Sequence, residues 1–244
     1  MLRRKIDKDE LAAILKEHGK WLESCGKLGT KADLSDRDLS RHNLQQANLE
    51  GANMEGVNLD RANLRTANLK AANLNTATMA GADLQWAIFQ LADLRDACLE
   101  GAGLQYANFS KSDLSRARMK NVYLHNAYFQ EATFGSADLR GASLRFTEMN
   151  FADLRRVTLS GAVIAATKMI GADLSDSDLS NTEITMSDFK NATLRNTRLN
   201  HAYLLKTSFQ NADLRGTDFN NSNIESVDFN DALLSSENWK AKAV

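Results

Sequence analysis

Ala62-Asn63-Leu64-Arg65-Thr66 and, directly after it, Ala67-Asn68-Leu69-Lys70-Ala71 are two copies of one five-residue unit. The unit has an apolar centre, a small residue two positions before it, and mostly polar residues elsewhere. Counted in steps of five from Leu34 to Leu234, all forty-one centres are Leu, Phe, Met or Ile. The residue two positions earlier is small in thirty-nine units, and the residue just before the centre is Asp or Asn in twenty-two. One five-residue repeat therefore organises residues 32–236.

A period of five fits neither of the common secondary structures. Five steps turn a side chain by about 140° around an α-helix, and an odd step moves it to the other face of a β-strand. If every centre and every small residue is to point into one core, the backbone must turn a corner in each unit. The sequence therefore predicts a chain that winds as a coil and stacks on itself.

The central phenylalanines indicate how many units make one coil. Six of the eight share one phase of a twenty-residue period, and Met149 and Met169 fill the gap in that series. The six are Phe89, Phe109, Phe129, Phe189, Phe209 and Phe229. Aromatic side chains stacked on one wall indicate four units per coil, a square cross-section and, for forty-one units, about ten coils. With neighbouring strands roughly 4.8 Å apart, the rod would be about 48 Å long.

Tandem units of the pattern A(D/N)LXX resemble the pentapeptide repeat family, and the resemblance covers residues 32–236. It implies an all-β solenoid, a right-handed quadrilateral β-helix in which the centre and the small residue point inward. It also implies a protein of bacterial type. Beside this solenoid the sequence predicts an N-terminal helical cap over residues 1–31 and a C-terminal tail or cap over residues 237–244.

The first thirty residues predict an amphipathic helix over residues 7–24. Asp7 and Glu10 have the spacing of an N-cap and its capping-box partner. Apolar residues and one histidine then follow at helical spacing: Leu11, Ile14, Leu15, His18 and Leu22. Gly26 and Gly29 are placed to end the helix.

An open end of a solenoid exposes both its core and its strand edges, so we expect this helix to lie over the first coil. Arg37 and His42 of that coil occupy positions that are small in the other units. The sequence predicts that Trp21 or His18 of the helix lies near them.

Composition limits the classes of function. The 244 residues carry 30 Lys and Arg against 31 Asp and Glu, a formal net charge of -1, so no bulk positive charge attracts nucleic acid or anionic lipid. No apolar run reaches the roughly 18 residues of a membrane helix, and the start has no apolar signal segment, which predicts a cytoplasmic protein without a membrane partner. Cys25 and Cys98 match no CxxC spacing, and this suits a reducing compartment.

No pattern typical of catalysis or cofactor binding is present. The motifs HExxH, GxSxG, GxGxxG and the P-loop are absent. The histidines fall on different phases of the repeat: His18, His42, His125 and His201. A packed four-sided rod also lacks the concave pocket that enzymes use. The sequence therefore predicts a non-enzymatic protein with no cofactor and no metal, which acts through its surface.

One wall carries charges of both signs. Arginines follow its centres and aspartates precede them: Arg95, Arg155, Arg195 and Arg215, with Asp93, Asp113, Asp153, Asp173 and Asp213. A row of arginines alone would indicate a stripe for nucleic acid. Because the aspartates lie on the same wall, the sequence favours a compensated ladder that keeps the wall solvated. It argues against direct nucleic-acid binding.

The best-known mechanism of the family is DNA mimicry, in which an acidic rod enters the DNA saddle of a type II topoisomerase. Residues 32–236 hold 25 acidic and 20 basic residues, a net charge of -5. About 48 Å of duplex carries on the order of 28 phosphates. No insertion loop interrupts the count of five. A modulator of DNA gyrase or topoisomerase, of the quinolone-resistance type, is therefore the alternative function, and it would need a local acidic stripe.

Large apolar residues at outward positions predict a protein-binding surface beside the phenylalanine wall, from about coil 3 to coil 8. They are Trp86, Ile88, Leu91, Tyr106, Tyr128, Phe146, Phe151 and Met186. Contiguous exposed apolar surface usually marks a site for a partner or for self-association. The alternative is that long polar side chains cover scattered aromatic residues. The preferred function is a non-enzymatic scaffold or protein-interaction module whose protein partner is unidentified.

The C-terminal segment carries one large aromatic residue, Trp239, after the last unit. In quinolone-resistance members of the family the C-terminal segment makes a dimer contact. The resemblance therefore implies a homodimer contact through Trp239, and a simple cap is the alternative.

Overall fold

The structure, a computed structural model, describes residues 3–235 and shows a right-handed quadrilateral β-helix with a helix at its N-terminal end. The elements in this range are β1 (Arg4–Lys5), α1 (Lys8–Glu23), β2 (Arg37–Asp38), β3 (Val163–Ala165), β4 (Glu183–Thr185), β5 (Tyr203–Leu205) and β6 (Asn223–Glu225). β1 pairs in parallel with β2, and β3 to β6 form a parallel sheet in that order. Parallel bridges join the other coils, each between residues twenty positions apart, such as Asn63 and Asp83. Four units per coil are therefore confirmed.

Each unit turns its corner at the residue two positions after the centre. This residue has a positive φ, which is 56° at Thr66 and 63° at Gly81. In most units the small residue that follows donates its backbone N–H to the carbonyl of the centre, as Ala67 does to Leu64 at 3.0 Å; after β3 the N–H of Thr167 instead donates to Ser187 Oγ at 3.2 Å. A positive φ inside such a hydrogen-bonded turn is typical of type II turns. Because the turn recurs every five residues, the coil has four straight walls.

The preference for Asp or Asn before the centre has a local reason. Asn63 Oδ1 accepts the backbone N–H of Arg65, two residues later, at 3.1 Å. Asn63 Nδ2 donates to Asn43 Oδ1, one coil earlier, at 3.1 Å. One side chain therefore supports the local turn and also joins two coils, which a longer or apolar side chain does not do.

The hydrophobic core runs along the whole rod. Every centre from Leu34 to Phe219 is buried. On the phenylalanine wall the rings of Phe89, Phe109 and Phe129 stack with centroids 4.5 and 5.0 Å apart. The last three centres are only partly buried: Ile224, Phe229 and Leu234. Burial of the core therefore decreases toward the end of the described residues.

α1 begins where the sequence predicts. Asp7 is its N-cap and accepts the backbone N–H of Glu10 at 2.8 Å. Leu11 and His18 are the buried residues of the helix, and Ile6, just before it, joins the same hydrophobic core as Leu11. The predicted amphipathic cap is therefore present, and it packs on the first coil.

The first two turns of α1, rather than its end, meet the two large residues of the first coil. Arg37 Nη1 lies 3.4 Å from Glu10 Oε1 in a salt bridge. Leu11 and Leu15 line a groove together with His42. A carboxylate of α1, rather than the predicted Trp21 or His18, therefore pairs with Arg37. The physical reason is that a carboxylate compensates the guanidinium at this end of the rod, which an indole or a histidine ring does less well.

His18 has a different role at the cap. Its Nδ1 accepts the backbone N–H of Ala32 at 3.1 Å. The side chain is fully buried, and the ring of Trp21 stacks on it with centroids 5.7 Å apart. His18 therefore ties the helix to the start of the first coil.

The burial of His18 predicts that the stability of the protein depends on pH. Burial lowers the pKa of His18 below its ordinary value of 6.5; the Glu50 carbonyl opposes this shift and Lys31 adds to it. The unfolded chain then binds a proton more tightly than the folded one. The stability that neutral His18 contributes is therefore present above pH 6.5 and is lost as the pH falls below it. We expect the midpoint of thermal unfolding, followed by circular dichroism, to decrease as the pH is lowered through this range.

A His18→Gln variant is the test of this assignment, because glutamine can accept the same N–H without titrating. Its midpoint should depend less on pH than that of the unaltered chain. His201→Gln, at an exposed corner, serves as the control and should keep the full dependence. If His18→Gln keeps it as well, another group causes the effect.

Candidate functional site

The eight predicted binding residues surround the outer side of the phenylalanine wall. Four occupy the corner that leads into this wall, here called the aromatic corner: Trp86, Tyr106, Phe146 and Met186. Leu91 and Phe151 occupy the corner that leaves the wall. Ile88 and Tyr128 lie on the wall itself, each one residue before a centre. All eight are exposed, from 37% at Ile88 to 65% at Phe151.

Trp86 and Tyr106 form the most compact part of this surface. Their rings stack one coil apart, with centroids separated by 4.1 Å and planes 3° from parallel. The two side chains are 50% and 39% exposed. Ile88 follows two residues after Trp86 and adds an exposed aliphatic group to the same coil. The three side chains therefore form an exposed apolar patch on this edge of the rod.

Beyond Tyr106 the aromatic corner is interrupted. Asn126 occupies this corner in the coil between Tyr106 and Phe146, and Ala166 occupies it in the coil between Phe146 and Met186. Two coils amount to about 10 Å along the rod. The surface that was predicted as a continuous stripe is therefore a stacked pair, followed by single apolar side chains in every second coil.

Phe151, on the opposite corner, lies over a glycine. A Cβ atom added to Gly171 would stand 2.7 Å from the Phe151 ring. Gly171 also has a φ of 66°, which a glycine adopts without strain. The missing side chain leaves room for the ring to lie along the rod, and the other face of the ring stays open to solvent.

Polar side chains occupy the middle part of the wall between the two corners. Ser110 Oγ and Gln130 Oε1 are hydrogen-bonded at 3.0 Å, and Gln130 Nε2 donates to Glu148 Oε2 at 2.7 Å. Lys168 Nζ continues the chain by donating to Glu148 Oε1 at 3.0 Å. Apolar groups therefore flank a polar strip in the middle of this wall.

The corner position makes large side chains costly for the fold. Trp86, Tyr106 and Phe146 have φ values of 63°, 62° and 60°. This left-handed region costs an L-residue about 1–2 kcal/mol, and only glycine and, to a lesser degree, Asn and Asp adopt it readily. The same left-handed backbone recurs at the other described corners, which hold residues as different as Gly81, Arg61 and Thr66. It is therefore a property of the coil, and the solvent exposure of the large apolar side chains is what points to function here.

The wall after the phenylalanine wall carries the predicted compensated ladder. Arg95 donates to Asp93 through Nε and Nη2 at 2.9 and 2.6 Å, and Arg155 binds Asp153 in the same way at 2.8 and 2.5 Å. These hydrogen bonds lower the pKa of both aspartates below the usual range, so they stay ionised beside their arginines. The charges on this wall therefore cancel locally.

One further exposed aromatic residue was not predicted from the sequence. Tyr123 is 53% exposed and lies on the wall that leads to the aromatic corner. Its ring meets His125 edge-on, with centroids 6.5 Å apart. Burial, with a smaller effect of Arg145, lowers the pKa of His125. Its position in the repeat could have predicted this exposure, because a tyrosine one residue before a centre must point outward.

The side chains that bind metals are dispersed. Within residues 3–235, no group of three His, Cys, Asp or Glu side chains is arranged to hold a metal ion. No helix in that range combines the length and the apolar character needed to span a membrane. Trp239 lies outside the described residues, so its contact stays a prediction.

Comparison with known families gives a match to the pentapeptide repeats, in eight copies. The matched residues are 30–65, 67–105, 123–161, 158–196 and 194–231. Together they make up well over half of the chain. A comparison with curated proteins gives no match.

Several solved structures are similar to this chain. HetL, a pentapeptide repeat protein involved in heterocyst differentiation regulation from the cyanobacterium Nostoc sp. strain PCC 7120, is 25% identical; the match covers 79% of this chain and 87% of HetL, with a TM-score of 0.49. QnrB1, a plasmid-mediated fluoroquinolone resistance protein, is 16% identical over 74% of this chain and 90% of its own, with a TM-score of 0.41. The repeats matched by the family model extend through most of the solenoid, and the chain belongs to the pentapeptide repeat family.

Proposed function

We propose that this protein is a non-enzymatic interaction module that binds another protein through the aromatic corner. The observation that carries the proposal is the stacked pair of Trp86 and Tyr106, which is exposed and held at left-handed backbone positions. Trp and Tyr are among the residues that contribute most to binding at protein interfaces. A partner would cover apolar surface that the solenoid leaves in contact with water.

The rigidity of the rod supports this proposal. The backbone N–H of Trp86 donates to the Gln105 carbonyl at 3.0 Å, and the backbone N–H of Tyr106 donates to the His125 carbonyl at 3.0 Å. The backbone beneath each ring is therefore tied to the next coil. Side chains held on a rigid support lose little freedom when a partner binds, and this improves affinity.

The cellular setting belongs to the same proposal. Cys25 and Cys98 are free cysteines, and free thiols are typical of a reducing compartment. We place the protein in the cytoplasm, with a protein partner and without a membrane or nucleic-acid partner.

Replacing Trp86 and Phe146 together by asparagine should strongly weaken binding without destabilising the fold. Asparagine tolerates the left-handed corner better than an aromatic residue, which offsets the lost stacking of about 0.5–1.5 kcal/mol. We expect the variant to unfold at the same temperature as the unaltered chain or slightly higher. We expect its affinity for the partner to fall by at least about 30-fold, which corresponds to the ~2 kcal/mol of a binding hot spot.

The measurement is a pull-down from native lysate with this protein as bait, followed by a binding titration with the recovered protein. A matched control replaces two exposed leucines away from the aromatic corner, Leu28 and Leu233, by asparagine. Partner recovery should survive in the control. Equal recovery with the Trp86 and Phe146 variant would show that these residues are packing only, and the proposal would fail.

The alternative function, a DNA-mimic modulator of DNA gyrase or topoisomerase, has weaker support. It needs a wall of uncompensated negative charge, whereas Asp93 and Asp153 are each bound by an arginine. A gyrase supercoiling assay with and without a fluoroquinolone distinguishes the two functions. We expect neither inhibition of the enzyme nor protection from the drug, and either effect would favour the alternative.

A further inference from the structure

The N-terminal cap leaves a groove beside the first coil. α1 forms one side of it with Leu11, Ala12 and Leu15, and the first coil forms the other side with Arg41 and His42. The groove has a volume of about 590 Å³. Sites for small molecules usually have volumes of ~300–1,000 Å³ and mostly apolar walls. The volume therefore suits a small ligand. α1 supplies an apolar side of the groove, and the polar and charged groups come from Lys8, Ser40, Arg41, His42 and Asn43.

His42 explains why the cap does not close this side. It stands at a position that is small in thirty-nine of the forty-one units. His42 Nδ1 lies 3.2 Å from the Ser40 carbonyl oxygen, so the ring turns back toward its own corner. Ala47, the small residue of the next unit, is only partly buried, unlike Ala52 one unit later. Ala47 of the first coil and Leu15 of α1 therefore both keep part of their apolar surface exposed.

Positive charge surrounds the open side of the groove. Lys8 lines the groove, and Lys5 lines a second depression of about 420 Å³ that shares Arg41 and His42 with it. Asp38 is the carboxylate among the residues that line the two depressions. The lining of the two depressions therefore carries three permanent positive charges, on Lys5, Lys8 and Arg41, and one negative charge, on Asp38.

Lys5 interacts electrostatically with Asp38, which leaves Lys8 and Arg41 as the cations that can attract a ligand. At this end of the rod the salt bridges join Arg4 and Arg37 to Glu10. Among residues 3–235, none is formed by the three cations that surround the groove, which are Lys5, Lys8 and Arg41. Apolar lining with unpaired cations at its edge is chemically complementary to a molecule that has an apolar body and an anionic head.

We propose that this groove binds a small anionic amphiphile, with its apolar body against Leu11, Ala12 and Leu15 and its carboxylate or phosphate head at Lys8 and Arg41. Each part of the ligand meets matching chemistry. Apolar contact removes the leucine side chains from water, and the anionic head forms charge-assisted hydrogen bonds with ammonium and guanidinium groups. The site is separate from the aromatic corner, so it does not depend on the proposed protein partner.

Isothermal titration calorimetry with the full chain tests the chemistry of the ligand. The probes are decanoate and decyl phosphate, each below its micelle concentration, so that a carboxylate and a phosphate head are compared. Decyltrimethylammonium has the same apolar body with a positive head, and acetate has the head without the body. We expect at least one anionic probe to bind, and both comparison compounds to bind at least ten-fold more weakly. Equal binding of decyltrimethylammonium, or no binding of either anionic probe, would overturn the proposal.

Two variants locate the site. Ala12→Phe fills the groove from an exposed position on α1 and should remove binding of the anionic probe. Arg41→Glu reverses the charge at the head and should weaken binding at least ten-fold. Arg61→Glu is the matched control, because Arg61 occupies the same corner one coil later and lines neither depression; its affinity should change less than two-fold. Circular dichroism checks that each variant is folded, and if both groove variants bind as the control does, the groove is not the site.

Discussion

Replacing Phe109 with alanine is expected to lower the free energy of unfolding by about 3–5 kcal/mol, the range for removing a buried aromatic side chain. Phe109 is fully buried, and its ring is stacked between Phe89 and Phe129 at 4.5 and 5.0 Å. The coils on both sides are held at fixed spacing by backbone hydrogen bonds, so they cannot collapse into the cavity. The measurement is urea unfolding followed by circular dichroism, in which the midpoint should shift to lower urea.

Phe151→Ala is the matched control, because it removes the same atoms from a ring that is 65% exposed. Its effect should stay within about 0.5 kcal/mol, as for most surface substitutions. If the two variants lose equal stability, the stacked phenylalanines do not support the rod as the structure shows.

Removing the N-terminal cap has the second large expected effect. A chain that begins at Lys31 lacks β1 and α1, so it loses the contacts of Ile6 and Leu11 with the core and the strand that pairs with β2. The first coil then presents apolar surface and an open strand edge, which favours association with other chains. We expect size-exclusion chromatography with light scattering to show larger species or aggregates, relative to the full chain at the same concentration.

A point substitution separates loss of the cap from mere shortening of the chain. Leu11→Asp places a charge at the buried contact of α1 and should reproduce part of the effect. Leu28→Asp changes a leucine that is 67% exposed and should leave the size of the protein unchanged. A chain starting at Lys31 that stays monomeric and soluble would contradict the role assigned to the cap.

The candidate surface was partly predictable because the repeat relates sequence to space in a simple way. Trp86 and Tyr106 are twenty residues apart, so the register alone places them in neighbouring coils on one corner. Their exposure follows from the same register, since the residue two after a centre points outward. The left-handed backbone beneath them was not predicted, although the frequent glycine and asparagine at this position carry that signal.

The polar strip between the corners was harder to predict. Gln130, Glu148 and Lys168 have known places on the wall, but their hydrogen bonds depend on side-chain rotamers. Long side chains have many rotamers of similar energy, and neighbours in three dimensions select among them. The proportion of polar to apolar surface at the site could therefore be determined only from the packed structure.

The order of residues alone was enough to establish the four-sided coil, its inward residues and its stacked phenylalanine wall. Every such contact joins positions five or twenty residues apart, and the same five-residue pattern is repeated forty-one times. The packed structure was needed to show how α1 meets the first coil, with Glu10 at Arg37 and His18 bound by the N–H of Ala32. No repeat relates the helix to the solenoid, so its orientation results from apolar burial together with the pairing of β1 with β2, the Glu10–Arg37 salt bridge and the hydrogen bond from Ala32 N–H to His18. That orientation also leaves open the groove beside His42.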